Sequence, residues 1–347
     1  SAQNPAPGAP AAGPRHSPKV IIALRNFAVS ISIFNILGYT ILGFEQPWIW
    51  PFIAMGTAYA FEMALEFISS LVEKRRARFV GNGPRGVIEF LYPSHITALA
   101  VNMLIYVNDK VWVMMFGVLV AVGAKWVLRA PVKGRMRHYM NPSNFGITII
   151  LLVFPWASIA PPYHFTERFE NPVDWLVPVI ILSAGTMLNA KLTGRMWLIM
   201  GWLSFFVIQA VVRGIFLDVS TAGALIMMTG VAFVLYTNYM VTDPGTSPSA
   251  PASQFAFGAG IAVVYGLLTG MSIPYGLFFA TAGVCAVRGG YLWSLHFSNL
   301  ARDQREAAER AAKAAAEAEA GKDAESAAGR ETESANGSID GKKVVNA

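Results

Sequence analysis

Ten apolar runs separated by short polar loops are the feature that most constrains the fold of this chain. A helix needs about 20 apolar residues to cross the hydrocarbon core of a bilayer, and most of the runs approach that length. They lie at residues 26–44, 48–72, 94–107, 111–128, 144–160, 174–190, 196–217, 221–241, 255–271 and 274–297. Only 14% of the 347 residues are charged, against about a quarter in soluble domains. The pattern predicts an all-α integral membrane protein with about ten transmembrane helices.

The basic residues between the runs predict the orientation of the chain. Lys and Arg follow the second, fourth, sixth and tenth runs, whereas Glu45, Asp109 and an acidic-leaning segment follow odd-numbered runs. Cytoplasmic loops are enriched in Lys and Arg, so we expect both termini in the cytoplasm. We also expect the protein to lie in a bacterial inner membrane. The formal net charge of +6 then reflects topology, and we predict no nucleic-acid partner.

Composition divides the chain into four predicted segments. Residues 1–19 are rich in Pro, Ala and Gly and are predicted to be a disordered leader. Residues 20–297 form the membrane domain. Residues 298–322 are rich in Ala, Glu, Lys and Arg, which favours a charged cytoplasmic helix. Residues 323–347 are polar and are predicted to be a disordered tail.

A faint internal repeat suggests two halves. "YPSHITALAVNML" begins at Tyr92 and "DVSTAGALIMMTG" begins at Asp218, and one offset aligns Ser94 with Ser220. The first copy starts on the cytoplasmic side and the second on the outer side. Two inverted five-helix halves would produce such a repeat, and a chance match in apolar sequence is the alternative.

Three ionisable residues inside apolar runs are candidates for handling protons or cations. Ionisable side chains at membrane depth are costly and often functional. Glu62 and Glu66 lie one turn apart on one face of the second run, and His95 lies in the third. The alternative for Glu66 is a structural pair with the basic loop that follows, and a lone polar residue is usually a hydrogen bond between helices.

Two loops carry polar residues at helix starts or turns. "NPSNFGI" offers Asn141, Ser143 and Asn144, which either cap a helix or frame a helix N-terminus that faces an anion. "VTDPGTSPS" offers Asp243, Thr246 and Ser247 in a turn, with an ordinary loop as the alternative. We predict no catalytic residue and no metal ligands, and the single cysteine excludes a disulfide within the chain.

Four stretches together resemble a known family: "NPSNFGI", "SIAPPYHFTE", "DVSTAGALIMMTG" and "VTDPGTSPS". The family contains one membrane subunit of the sodium-pumping NADH:quinone reductase, NqrB, and one of the Rnf complex, RnfD. The greatest similarity is to its UnbU-like, enediyne-biosynthesis-type branch. The resemblance covers about residues 85–295. It implies two inverted five-helix halves, a flavin, and other membrane or redox subunits as partners.

The resemblance also implies where a flavin would be held. Family members attach FMN to a threonine in a Ser-Gly-Ala-Thr-x-Leu-type motif, which matches "STAGAL" here. The acceptor position falls on Gly223, which has no hydroxyl, so covalent attachment is not expected and the flavin, FMN or riboflavin, would be held non-covalently. The implied cofactor-binding residues are Asp218, Ser220, Thr221, Asn141, Ser143, Asn144, Asp243, Thr246 and Ser247.

The predicted function is therefore that of a membrane subunit in an electron-transfer assembly. If the chain takes part in catalysis, it does so within an oxidoreductase complex. Two alternatives stay open: an inverted-repeat permease or channel for a small solute, and a structural subunit that docks on a larger membrane complex. The lipid bilayer is a partner in all three.

Overall fold

A computed structural model describes residues 18–81, 83–132, 134–160 and 173–340. Almost all of the predicted leader and residues 341–347 of the predicted tail lie outside these ranges. The helices are α1 (Pro18–Leu37), α2 (Trp50–Val72), α3 (Gly83–Leu104), α4 (Val111–Val127), α5 (Pro142–Val153), α6 (Val173–Leu188), α7 (Met196–Phe216), α8 (Thr221–Ile226), α9 (Val231–Leu235), α10 (Pro251–Gly270) and α11 (Gly276–Asp340). The strands are β1 (Ile105–Tyr106), β2 (Arg129–Val132), β3 (Arg135–His138) and β4 (Ser158–Ile159), paired antiparallel as β1 with β4 and β2 with β3.

Within the described ranges, five helices are long and apolar enough to cross a membrane. They are Val20–Leu42, Trp50–Val72, Gly83–Leu104, Met196–Phe216 and Pro251–Gly270, and a bent pair brings the number to six if it counts as one span. Large apolar side chains such as Val72, Val127 and Phe216 are exposed, as lipid-facing side chains are in such proteins. The architecture is that of an all-α membrane protein, whereas the count of ten spans is not confirmed and stays a prediction.

The eighth apolar run is not the continuous span that the sequence predicts. The 3₁₀ turn Met227–Thr229 follows α8, and the helical axis bends by 66° before Val231–Met240. Gly230 has extended backbone (φ −76°, ψ 145°), so the helical hydrogen-bond ladder is interrupted there. Broken helices at membrane depth are tolerated where protein or a cavity surrounds them.

The third apolar run, residues 94–107, is part of a longer helix than the length of the run indicates. α3 begins at Gly83, includes Pro93 in its interior and is long enough to span a membrane. Ser94 therefore lies inside a helix, whereas Ser220, its partner in the proposed repeat, precedes one. The repeat alignment does not place these two serines in the same structural role.

Two parts of the membrane domain nevertheless pack their helices in the same order. α1 and α6 each end in a π-helical turn, Gly38–Leu42 and Asn189–Thr193, followed by a glycine with positive φ. Gly43 (φ 84°) and Gly194 (φ 65°) each donate their N–H to the first carbonyl of the turn, a conformation that glycine adopts without steric cost. α1 packs against α3 and α2 against α4, and in the same order α6 packs against α9 and α7 against α10.

An aromatic cluster forms the centre of the second of these parts. Trp202, Phe206, Phe233, Tyr236 and Tyr265 stack or meet edge to face with ring centroids 4.8–6.3 Å apart. The indole N–H of Trp202 donates to the Thr237 hydroxyl at 2.9 Å. The cluster joins α7, α9 and α10 through buried apolar area and satisfies the polar atom that it encloses.

The chain divides into two compact units, residues 1–290 and 291–347. The second unit contains the charged segment predicted at 298–322, and the described part of it is helical. The helix continues past the predicted boundary to Asp340, since residues such as Ala, Glu and Lys favour helix well beyond residue 322.

Candidate functional site

The first predicted site loop is bonded to the residue that precedes the second loop. The side-chain oxygen of Asn141 accepts the N–H of Asn144 at 2.9 Å and the Ser143 hydroxyl at 3.1 Å, so it caps α5. Its amide nitrogen donates to the carbonyl of Met240 at 3.0 Å. Asn141 therefore joins the start of α5 to the π-helical turn Tyr236–Met240, which leads into the second loop.

The second loop is closed by its own hydrogen bonds. The carboxylate of Asp243 accepts the N–H of Gly245 at 3.0 Å and the Thr246 hydroxyl at 3.1 Å. The carbonyl of Asp243 accepts the Ser247 hydroxyl at 2.7 Å and its N–H at 3.0 Å. The predicted turn is present, and its hydroxyls bond within the loop.

Three basic side chains surround this loop. Arg195 donates from Nε to the Ser247 hydroxyl at 2.8 Å, and Arg288 donates to the carbonyl of Thr246 at 2.8 Å. The imidazole of His138 lies so near Gly245 that a Cβ there would be 2.6 Å from Nε2. Burial lowers the pKa of His138 and of Arg195, and the Asp243 carboxylate partly opposes both shifts. The two guanidinium groups outweigh the single carboxylate, so the loop lies in a net positive environment.

The remaining predicted cofactor residues lie apart from these loops. Asp218 and Ser220 are exposed, and the Ser220 hydroxyl accepts the N–H of Gly223 at 3.0 Å, which caps α8. The hydroxyl of Thr221 lies against Gly214 of α7, where a Cβ would overlap it. In the part of the chain that the structure describes, no hydrogen bond or ion pair joins this stretch to the loops of Asn141 and Asp243.

Glu62 is paired with a lysine from another helix. Its Oε2 lies 2.8 Å from Nζ of Lys125 on α4, and that nitrogen also donates to the Ser94 hydroxyl on α3 at 3.2 Å. All three side chains are buried. Glu62 is a predicted site residue. The sequence does not predict Lys125 as its partner, and the available signal is the position of this lysine inside the apolar run 111–128.

Glu66 holds the basic loop that follows α2. Its carboxylate is fully buried, binds the guanidinium of Arg75 and accepts the backbone N–H of Arg78 at 2.9 Å. Nε of Arg78 lies 3.4 Å from the second carboxylate oxygen. Of the two expectations for Glu66, the structural pair with the basic loop is the one that the geometry supports.

His95 bridges two neighbouring helices. Its Nε2 lies 2.7 Å from the Ser32 hydroxyl on α1, and its Nδ1 lies 2.6 Å from the Tyr59 hydroxyl on α2. Ser32 donates its own hydrogen to the carbonyl of Ala28, so it accepts from His95. A neutral imidazole with the proton on Nε2 and Nδ1 accepting from Tyr59 satisfies all of these groups.

Across the described ranges, no three His, Cys, Asp or Glu side chains come together as metal ligands. Neither a family model nor a curated protein sequence matches the chain.

Proposed function

We propose that the chain is a membrane subunit of an electron-transfer assembly. The observation that carries this proposal is the bond from Asn141 to the carbonyl of Met240. Met240 directly precedes the "VTDPGTSPS" stretch, so the bond brings two of the resemblance stretches together across 99 residues of sequence. Motif stretches that belong to one site must converge in the fold, and these two do.

The second part of the proposal is an arrangement of ten spans in two inverted halves with both termini in the cytoplasm. It is supported by the matching ends of α1 and α6 and by the matching order of helix packing in the two parts. A tag at the C-terminus tests the orientation: in intact spheroplasts treated with protease, we expect the tag to survive. Digestion of the tag from outside would reject this topology.

The third part is a flavin bound without a covalent bond at the loops of Asn141 and Asp243. Arg195 and Arg288 supply positive charge that suits a flavin phosphate. Nε and Nη2 of Arg288 make no hydrogen bond with the described residues. A flavin would supply the redox chemistry, whereas these side chains would bind and orient its phosphate.

The stretch "DVSTAGALIMMTG", which begins at Asp218, supports a flavin that is not covalently bound to the protein. A phosphoester requires a protein oxygen, and Gly223 has none. Ser220 accepts the Gly223 N–H as a helix cap, and the Thr221 hydroxyl packs against α7. We therefore expect any bound flavin to be released by denaturation.

The absorption spectrum of the purified protein tests this proposal. We expect a flavin band in the native protein, free flavin after acid denaturation, and no fluorescent band on a denaturing gel. Arg288→Gln should lower the flavin content, whereas Arg302→Gln, an exposed control on the tail helix, should not. A protein without flavin, or an equal loss in both variants, would reject the flavin site, and a fluorescent gel band would reject the non-covalent mode.

A permease is the second candidate, because two features of transport proteins are present. The buried Glu62–Lys125 pair lies inside two apolar helices, and the helix break at Gly230 resembles the discontinuous helices of transporters. We expect Glu62→Gln to abolish proton or solute flux in liposomes. Glu89→Gln, a partly exposed glutamate of α3 paired with the exposed Arg85, should leave the flux unchanged. Equal flux in both variants would reject this candidate.

A further inference from the structure

A groove between the C-terminal ends of α7 and α10 belongs to none of the sites described above. Its volume is about 550 Å³, which lies within the range of about 300–1,000 Å³ that is typical of small-molecule sites. The walls are apolar side chains from both helices, including Val212, Phe216, Val263 and Leu267. The C-terminal residues of both helices line it, so the two helices run in the same direction here.

Among the described residues that line the groove, Arg213 alone is charged. Its Nη1 donates to the side-chain oxygen of Gln209 at 3.2 Å, whereas its Nε is buried and has no partner among the described residues. No carboxylate pairs with this guanidinium in the described ranges. A charge in apolar surroundings requires an opposite charge or acceptor oxygens, and the guanidinium fork matches phosphate oxygens well.

The position of Arg213 along α7 indicates which part of a ligand would reach it. Arg213 lies three residues before Phe216, the last residue of this span-length helix, or about 4.5 Å along the axis at the standard rise. The guanidinium is therefore near one membrane–water interface. Ile208 and Phe205 also line the groove and lie further from that interface, at the depth of lipid acyl chains.

We propose that this groove binds a phospholipid with an anionic headgroup. The headgroup phosphate accepts from the N–H groups of Nη2 of Arg213, and an acyl chain covers the apolar walls formed by α7 and α10. Charge complementarity selects an anionic lipid over a zwitterionic one, since a single unpaired cation faces the ligand. The site is independent of the redox proposal, because neither the loop of Asn141 nor that of Asp243 lines it.

Binding of individual lipids to the detergent-purified full chain, measured by native mass spectrometry, tests the proposal. We expect phosphatidylglycerol to bind about fivefold more tightly than phosphatidylcholine, since one basic residue near a lipid surface contributes about this factor. Arg213→Gln should remove the preference and Arg213→Lys should retain most of it. Arg25→Gln, an exposed arginine on α1, is the matched control and should keep the full preference.

A second variant tests the groove if Arg213→Gln fails to fold. Val263→Trp fills the groove from α10 and leaves the arginine in place, so it should weaken the binding of both lipids. Equal affinity of the wild type for the two lipids would overturn the proposal, as would unchanged binding in Val263→Trp. A preference that survives Arg213→Gln, a neutral molecule or flavin found in the groove, or an equal loss in Arg25→Gln would overturn it as well.

Discussion

Breaking the Glu62–Lys125 pair should cost the protein much more than breaking an exposed pair of the same length. The two side chains are each 9% exposed and their charged atoms are 2.8 Å apart. Arg85 and Glu89 on α3 are also 2.8 Å apart, but their side chains are 89% and 26% exposed. The comparison therefore varies burial while the distance between the charged atoms stays the same.

The expected loss in the free energy of unfolding follows from the desolvation of the charge that is left without a partner. Removing one partner of a buried pair leaves an uncompensated charge and costs about 3–5 kcal/mol, which we expect for Lys125→Met. Glu62→Gln should cost less, about 1–3 kcal/mol, because Lys125 keeps the Ser94 hydroxyl and its flexible stem can move the charge towards water. The double variant removes both charges and should be within about 1 kcal/mol of the wild type. The coupling energy is then at least about 3 kcal/mol.

Reversible unfolding in mixed micelles measures the free energy of unfolding for the wild type, both single variants and the double variant. The same cycle on Arg85 and Glu89, with alanine at each position, is the control and should give a coupling of about 0.5 kcal/mol or less. A Glu62–Lys125 coupling no larger than that of the Arg85–Glu89 pair would refute this expectation, as would a double variant whose loss equals the sum of the two single losses.

Three further predictions concern residues outside this pair. Glu66→Gln should lose about 1–3 kcal/mol of stability in the same unfolding assay, because Arg75 loses its buried charged partner; wild-type stability would contradict this. Asn141→Ser should cost about 1 kcal/mol of stability, because serine keeps the cap of α5 but loses the bond to Met240. Asn141→Ala should cost about 2 kcal/mol, because both the cap and the bond are lost. Equal losses in the two variants would contradict the assignment of both roles to Asn141. Burial lowers the pKa of His138 below its usual value of 6.5, so protonation favours the unfolded chain. Its contribution to stability is present above pH 6.5 and is lost as the pH falls towards the folded-state pKa. Thermal unfolding between pH 5 and 8 should therefore show a flatter profile for His138→Gln, and an unchanged profile would refute this.

The local features of the chain could be predicted because they depend on neighbouring residues. Hydropathy over about 20 residues indicates membrane-spanning helices, and five of them are present by length and composition in the described ranges. The side chains of Asn141 and Ser220 cap the helices that follow them, since a cap needs a polar oxygen only three residues before the N–H that it accepts. The pairing of Glu66 with the following loop also lies within 12 residues.

Contacts between helices that are distant in sequence could be decided only by the tertiary structure. Hydropathy predicts that Glu62 lies in an apolar helix, but the partner of Glu62 depends on α2 packing against α4, which brings Lys125 within 2.8 Å. The bond from Asn141 to Met240 and the groove that contains Arg213 arise in the same way. The break at Gly230 has the same origin, because glycine is compatible with both a continuous and an interrupted helix, and packing against neighbouring helices selects between them. Apolar sequence in a membrane specifies helices through the hydrogen-bonding needs of the backbone, whereas the choice of helix neighbours depends on the shape and polar groups of whole helix faces.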